Sequence, residues 1–421
     1  PNLIYKSQFP FTMGKLNRLG GENGEFVTGT DFGRGNFSSS KPYKRRRKMK
    51  RVSLIVLAVV LAVSMVVLAW SAPASAREKI QLDFATFWPA GDFQAGIGFK
   101  TWMKTIGDRV KAETDYEIEW TEFYGVHPAK LLDGIEAGTY DVGTSGPGYS
   151  PGVFPLWAGP QYPGEAYRKN AYTMSLTIQA LHEQMPELQA QFDRTKMKLM
   201  HFWSTGPGYF LMTPGKNVRT LADFSGKTIR AANPASVACI EALGAKPLFA
   251  PMSVALERFE AKLIDGILCP TDTPKGFGLG SYVRHVTFAP FSYHFVFFKV
   301  MNKDAYDRLP AKVKTIFDEV NAAYPAYYGQ LRTWGEADGL EYMKGLEGYT
   351  YYDVRTENPT EYAKWVGATA GLIDKWIGGD AKKKAVWNKF LELDKYYSTT
   401  PPYSTWTHSW PTPPVPPSGK K

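Results

Sequence analysis

The chain has 421 residues, with 50 Lys and Arg against 40 Asp and Glu, a formal surplus of ten positive charges. Residues 1 to 51 hold twelve of the basic residues and three of the acidic ones, so the rest is close to neutral and carries no nucleic-acid signature. Two cysteines, Cys239 and Cys269, are too few for a disulfide framework and no Cys/His spacing suits zinc.

Residues 1–48 are rich in Gly, Ser, Asn and Arg without helical or strand periodicity, and the first residue is a proline. They are expected to be a non-native or untranslated leader. Met49-Lys-Arg51 is a positive n-region, Val52 to Ala69 is apolar, and Ala74-Ser-Ala76 is a small-residue cleavage site. Residues 49–76 therefore read as a signal peptide begun at Met49, for export to the periplasm. The apolar run is nearly long enough to span a bilayer, so a retained N-terminal anchor is the alternative. In an oxidising periplasm the two cysteines either bridge or remain small buried apolar side chains.

Lys79 to Phe87 alternates like a strand, and Trp88-Pro-Ala-Gly91 turns it into a helix capped by Asp92. Phe99, Met103, Ile106 and Val110 give that helix an apolar stripe. Tyr116 to Phe123 is a second strand, Pro128 opens a helix closed by Gly138, and Tyr140 to Gly143 is a third strand. Such alternation implies a parallel sheet with right-handed crossovers. Leu256 to Gly266 repeats the grammar of Leu132 to Val142, each a short helix with Glu-Ala leading through Asp into a strand. Two α/β domains follow, and ligands collect at the carboxyl ends of such strands. Asp141 and Asp265, at corresponding turns, read as structural.

A Gly/Pro-rich loop spans Gly146 to Pro155, and Ala171 to Leu188 reads as helix. Lys198 to Trp203 is a strand, and Ser204 to Tyr209 is read as a crossover between domains, with a return near Phe288 to Lys299. Ala311 to Gly345 is a long helical region with Pro325 as a candidate bend. Ala363 to Tyr397 is helical, and 398–421 is a Pro-rich tail, extended or disordered. The expected division is 77–203 plus about 291–330 for one lobe, and 204–290 plus about 331–397 for the other with the spanning helices.

The stretch Thr220-Leu-Ala-Asp-Phe-Ser-Gly-Lys-Thr-Ile-Arg230-Ala-Ala-Asn233-Pro reads as turn, buried strand, N-cap and helix, stopping near Gly244. It puts Arg230 near a strand end beside a helix N-terminus, which suits a carboxylate. An arginine tying two loops together through an acidic residue fits the same spacing.

This stretch, with Ile-Glu-Ala-Leu-Gly-Ala-Lys-Pro-Leu-Phe-Ala-Pro-Met-Ser253 and Phe-Glu-Ala-Lys-Leu-Ile-Asp-Gly266, resembles the signature of the DctP-type solute-binding proteins of TRAP transporters. The resemblance covers roughly 79 to 397. It implies a two-lobed periplasmic-binding-protein (Venus flytrap) fold, each lobe a mixed, mostly parallel sheet flanked by helices, with a long helix across both. It also implies that Arg230 clamps the substrate carboxylate, and that the partners are a small and a large integral membrane subunit. Asn233 either caps its helix or turns its amide to the ligand. Where the family continues its strand with Gln-Glu-Asn-Pro, this chain has Cys269-Pro270, and a thiol is a poor donor. Either Thr271 and Asp272 take over, or the far end of the ligand is less polar.

Phe87, Trp88, Tyr149, Trp203 and Tyr209 fall where the fold places loops at the cleft. One arginine among aromatic rings suits a monocarboxylate with an apolar or aromatic body. Scarcity of a second cleft arginine argues against the most polar acids, although C4-dicarboxylates and 2-oxo acids occur in the family. The leading expectation is a periplasmic receptor for an organic acid, monomeric, without catalysis, cofactor or metal. A membrane-anchored or sensor-linked binding domain and an exported carboxylic-ester hydrolase are the rivals. No His-Glu-x-x-His is present, and His127, His201 and His294 have no partner at a telling spacing.

Overall fold

The computed structural model describes residues 77–164 and 170–406. The leader and signal-peptide readings, and the tail from 407 on, lie outside the described residues. In chain order the strands are β1 (Glu78–Thr86), β2 (Tyr116–Phe123), β3 (Val142–Ser145), β4 (Met197–Ser204), β5 (Tyr209–Met212), β6 (Thr228–Ala231), β7 (Lys246–Phe249), β8 (Gly266–Cys269), β9 (His285–Phe288), β10 (Val296–Asn302) and β11 (Thr350–Asp353). They form two sheets, in the orders β2-β1-β3-β10-β4 and β11-β9-β5-β8-β6-β7.

In the first sheet β1 runs parallel to β2 and β3, while β10 is antiparallel to β3 and β4. Every residue of β3 and β10 is buried, as strands covered on both faces require. In the second, β6 is parallel to β7 and β8, β11 is parallel to β9, and β5 is antiparallel to both β8 and β9. The architecture is mixed α/β, one sheet per lobe with helices around each.

The repeated helix-Asp-strand pattern is one hydrogen-bonding device used twice. Asp141 takes the Asp83 amide on its Oδ2 at 2.9 Å and donates its own amide to the Asp83 carbonyl at 3.0 Å. Asp265 does the same to Thr228, at 2.9 and 2.7 Å. In both lobes a carboxylate fastens a neighbouring strand to the turn that follows a helix.

The helix Lys100–Glu113 buries Met103, Ile106 and Val110, the expected stripe, together with Trp102. The helix Pro128–Ala137 stops at Gly138, whose φ of 75° only glycine adopts without strain. One expected helix, 171–188, is two: Ala171–Gln184 and Pro186–Asp193. Pro186 forces Met185 out of helical geometry, to φ −122° and ψ 95°. The expected 363–397 helix is likewise broken, into Pro359–Thr369, Leu372–Ile377 and Ala381–Thr399.

Three passages join the lobes. The chain leaves β4 for β5 over 205–208 and returns from β9 to β10 over 289–295, and the two stretches bond to each other through Thr205 N to Phe295 O (3.0 Å) and Phe295 N to Thr205 Oγ1 (2.8 Å). The third is the long helix Ala311–Lys344, with Pro325 inside it. Its early turns give Val313, Phe317, Tyr324 and Tyr328 to a core shared with Phe84 and Trp102. Its last turns place Met343 against Leu211 and Ile267 of the second sheet.

Candidate functional site

Phe87 and Trp88 follow β1 directly, Tyr149 follows β3, Arg230 lies on β6 and Cys269 ends β8. Carboxyl ends of strands from both sheets thus converge, where open α/β sheets hold ligands. These five residues line one cavity with Asp272, Asp92 and Arg332, and with Thr205, Tyr293 and Phe297 on the lobe connections and β10. The space between them is about 20 Å³, about enough for one water molecule.

Arg230 is 1% exposed. Its Nε donates to the Ala250 carbonyl just past β7 at 2.7 Å, which holds the guanidinium plane, while Nη2 has no hydrogen-bond partner. The Tyr149 phenol bonds to the same guanidinium; burial pushes its pKa up and Arg230 pulls against that shift. Tyr149 is in turn fixed by rings, Phe295 at 4.6 Å and Phe87 at 5.5 Å between centroids. Phe87 stacks on Trp88 at 3.8 Å, and Trp88 meets Phe297 at 4.8 Å. One wall is therefore aromatic and the other carries the arginine.

Asp272 and Arg332 are 3% exposed each and form an ion pair, Arg332 Nη2 to Asp272 Oδ2 at 2.8 Å. That contact lacks hydrogen-bond alignment: Asp272 Oδ2 and Arg332 Nε are both without a hydrogen-bond partner. Asp272 Oδ1 accepts from Thr273 Oγ1 at 3.0 Å. Asp92, from the first lobe, is buried nearby, its Oδ1 taking the Gln94 amide at 2.8 Å. Burial raises its pKa to about 7, with Asp272 adding to the rise and Arg332 opposing it. The Cys269 thiol is pushed up to about 12 by burial and remains a thiol at neutral pH.

Of the residues singled out from sequence, Phe87, Trp88, Tyr149, Arg230, Cys269 and Asp272 meet at this cavity. Four do not line it. Asn233 caps its helix through Ser236 N to Oδ1 at 2.7 Å, and its amide nitrogen donates to Gln161 Oε1 at 3.0 Å, so both ends of the side chain are engaged. That cap also takes an amide of the helix end that the spacing offered to a carboxylate. Thr271 Oγ1 donates to the Glu336 carbonyl of the long helix at 2.7 Å. Trp203 is wholly buried one layer behind, between Phe297 at 5.6 Å and Tyr328 at 5.0 Å. Tyr209 stacks on Phe288 at 4.7 Å.

The second cleft arginine judged scarce is present. Arg332 was missed because it lies mid-helix, among Tyr324, Tyr328, Leu331 and Trp334, where a lone arginine reads as a surface residue. Its one signal is that apolar neighbourhood. No disulfide joins Cys239 to Cys269. Among the described residues no group of three or more His, Cys, Asp or Glu is placed to hold a metal ion, and no helix is long and apolar enough to cross a membrane.

A family model described as bacterial extracellular solute-binding protein, family 7 (DctP) matches residues 84–378. Solved structures show the same fold at low identity. A TRAP solute-binding protein from Rhodoferax ferrireducens, in complex with copurified benzoate, is 20% identical with a TM-score of 0.68, covering 75% of this chain and 97% of that one. A marine-metagenome TRAP protein specific for aromatic acids, in complex with metahydroxyphenylacetate, is 21% identical with a TM-score of 0.69, covering 76% and 100%. One from Bordetella bronchiseptica with bound (R)- and (S)-mandelate is 21% identical with a TM-score of 0.67, covering 75% and 99%.

Proposed function

The chain belongs to family 7 of the bacterial extracellular solute-binding proteins, the DctP receptors of TRAP transporters, and from that premise we propose that it captures a monocarboxylate bearing an aromatic or apolar body and delivers it to a membrane permease. The observation that carries this reading is Arg230: a buried guanidinium with an unpartnered Nη2 on a cavity walled by Phe87, Trp88 and Tyr149. An unpaired buried charge is costly, and a ligand carboxylate relieves it. The other arginine does not ask for a second carboxylate, because Asp272 already faces Arg332. Ring-bearing acids in three proteins of this fold agree with such a site.

On this reading the protein acts by binding, in the periplasm, and its partners are the acid and the small and large integral subunits of the transporter. A cavity of about 20 Å³ is too small for a ring, so on this reading the lobes part to admit the acid and close less tightly over it than in this structure. An anchored or sensor-linked form would use the same cleft; what tells it apart is the fate of residues 49–76.

A thermal-shift screen of the purified protein against carboxylic acids tests the reading, because a ligand that binds only the folded state raises the melting temperature. For the acid with the largest shift, Arg230→Ala is expected to weaken binding by calorimetry at least about tenfold, given charge-assisted hydrogen bonds worth roughly 1.5 to 3 kcal/mol each. Unchanged affinity in that variant removes Arg230 from the site.

A further inference from the structure

Beyond Arg230, two more buried atoms of residues lining the cavity lack an aligned hydrogen bond, and they belong to side chains already in contact. Arg332 Nε is a donor without an acceptor, and Asp272 Oδ2 is an acceptor without a donor, although the two side chains stand 2.8 Å apart as an ion pair. Both residues line the same space as Arg230. Each is about 3% exposed, so bulk solvent does not reach them, and the space they line holds no more than about one water molecule. Native interiors rarely leave such groups unsatisfied without a reason.

From this pair we infer that the cleft selects acids that carry a hydroxyl group on their body, the hydroxyl donating to Asp272 Oδ2 and accepting from Arg332 Nε while the carboxylate sits on Arg230. The inference rests on the receptor reading above and adds the class of substrate. Its argument is complementarity. A hydroxyl is both donor and acceptor, so one group completes both atoms. An ammonium group has donors alone; it leaves Arg332 Nε unpaired and sets a second cation beside that arginine. A second carboxylate accepts alone and stands against Asp272. A plain hydrocarbon end leaves the two charges paired with each other but Asp272 Oδ2 and Arg332 Nε still without hydrogen bonds, at a desolvation cost.

Charge bookkeeping agrees. Arg230 and Arg332 bring two positive charges, and Asp272 brings one negative charge when ionised, burial raising its pKa while Arg332 opposes the rise. Asp92, from the facing lobe, has a pKa near 7 and a hydrogen bond from Gln94 on Oδ1. With Asp92 protonated, a monoanionic hydroxy acid brings the cavity to neutrality, whereas a dicarboxylate leaves it one negative charge over. The discrimination is large in principle, because a site built to bond a hydroxyl rejects the analogue without one far more strongly than a pocket rejects a missing methylene.

The test is a titration of the purified protein by calorimetry against two matched series: benzoate, its 2-, 3- and 4-hydroxy derivatives, isophthalate and 3-(aminomethyl)benzoate; and propionate beside lactate and 3-hydroxypropionate. At least one hydroxy acid is expected to bind about tenfold or more tightly than its parent, the ammonium and dicarboxylate analogues falling below it. In Asp272→Asn the hydroxyl advantage is expected to shrink and isophthalate to gain, since Arg332 is then unneutralised. Parent acids that bind as tightly as every hydroxy acid overturn the hydroxyl inference while leaving the receptor reading in place. Failure of all carboxylates in both series overturns the receptor reading itself. The wild-type comparison decides the matter even where Asp272→Asn does not fold.

Discussion

Trp203 and Trp88 are both buried tryptophans near the cleft, yet they do different work. Trp88 lines the cavity, while Trp203 stands behind Phe297, at 5.6 Å, with Tyr328 at 5.0 Å on its other side. Trp203→Ala should therefore act on stability: loss of a wholly buried indole costs about 3–5 kcal/mol through lost transfer energy and the cavity left behind. Denaturant unfolding is expected to show that loss, and calorimetry to show proportionate weakening for apolar and small acids alike. A selective loss for aromatic acids, with unfolding unchanged, would put Trp203 at the ligand after all. The distinction was not visible in the sequence, because strand alternation tells which face a residue takes and not how many layers separate that face from the cleft.

The long helix owes its seat on the second lobe to an absent side chain. A Cβ at Gly339 would lie 2.2 Å from the Thr271 carbonyl oxygen and 2.6 Å from the Asp272 Cα, both main-chain atoms that cannot move aside cheaply. Thr271 bonds the helix at the same place, through the Glu336 carbonyl at 2.7 Å. Gly339→Ala should thus destabilise, by about 1–3 kcal/mol from overpacking, against the usual gain of about 0.5–1 kcal/mol for replacing a mid-helix glycine. Gly367, exposed in the helix Pro359–Thr369 with nothing within 4 Å of its Cβ position, is the matched control and should become more stable as alanine. Thermal unfolding of both variants measures the contrast, and a stabilised Gly339→Ala refutes the close seat. Helix position alone could not have separated these glycines; what stands opposite each could.

Across the whole molecule, the lobe boundary gathers carboxyl groups whose ionisation opposes folding. Burial lifts Asp92 from 3.8 to about 7, and lifts Glu336, which accepts the Gly206 amide at 2.7 Å in the first crossover, from 4.5 to about 8. Both folded values lie above the ordinary ones, so each group favours the folded state fully below about pH 4 and loses that contribution as pH rises through about 7 to 8. His182 and His201 run the other way, their pKa lowered by burial, so the informative quantity is a difference between proteins. Asp92→Asn keeps the acceptor for Gln94 and should hold its stability between pH 4 and 8 better than wild type does, by urea unfolding at each pH. Parallel profiles would show that Asp92 does not titrate in that window.

The fold and the place of Arg230 at the end of its strand were readable early because they rest on short-range rules. Alternation marks β1 and β2; an Asn-Pro cap and a left-handed glycine bound the helix Pro234–Ala242; the helix-Asp-strand repeat announces a second lobe built like the first. Arg230 at the end of its strand follows from the same local grammar. What the chain alone could not decide is which distant residues share the cavity. Arg332 lies about a hundred positions from Arg230, and Asp92 farther still on the other side, and only the closing of two lobes around one helix brings them to Asp272. Hydrogen-bond competition, also invisible in one dimension, took Asn233 for its helix cap and Thr271 for the long helix, because each polar group bonds whatever the packed structure sets nearest.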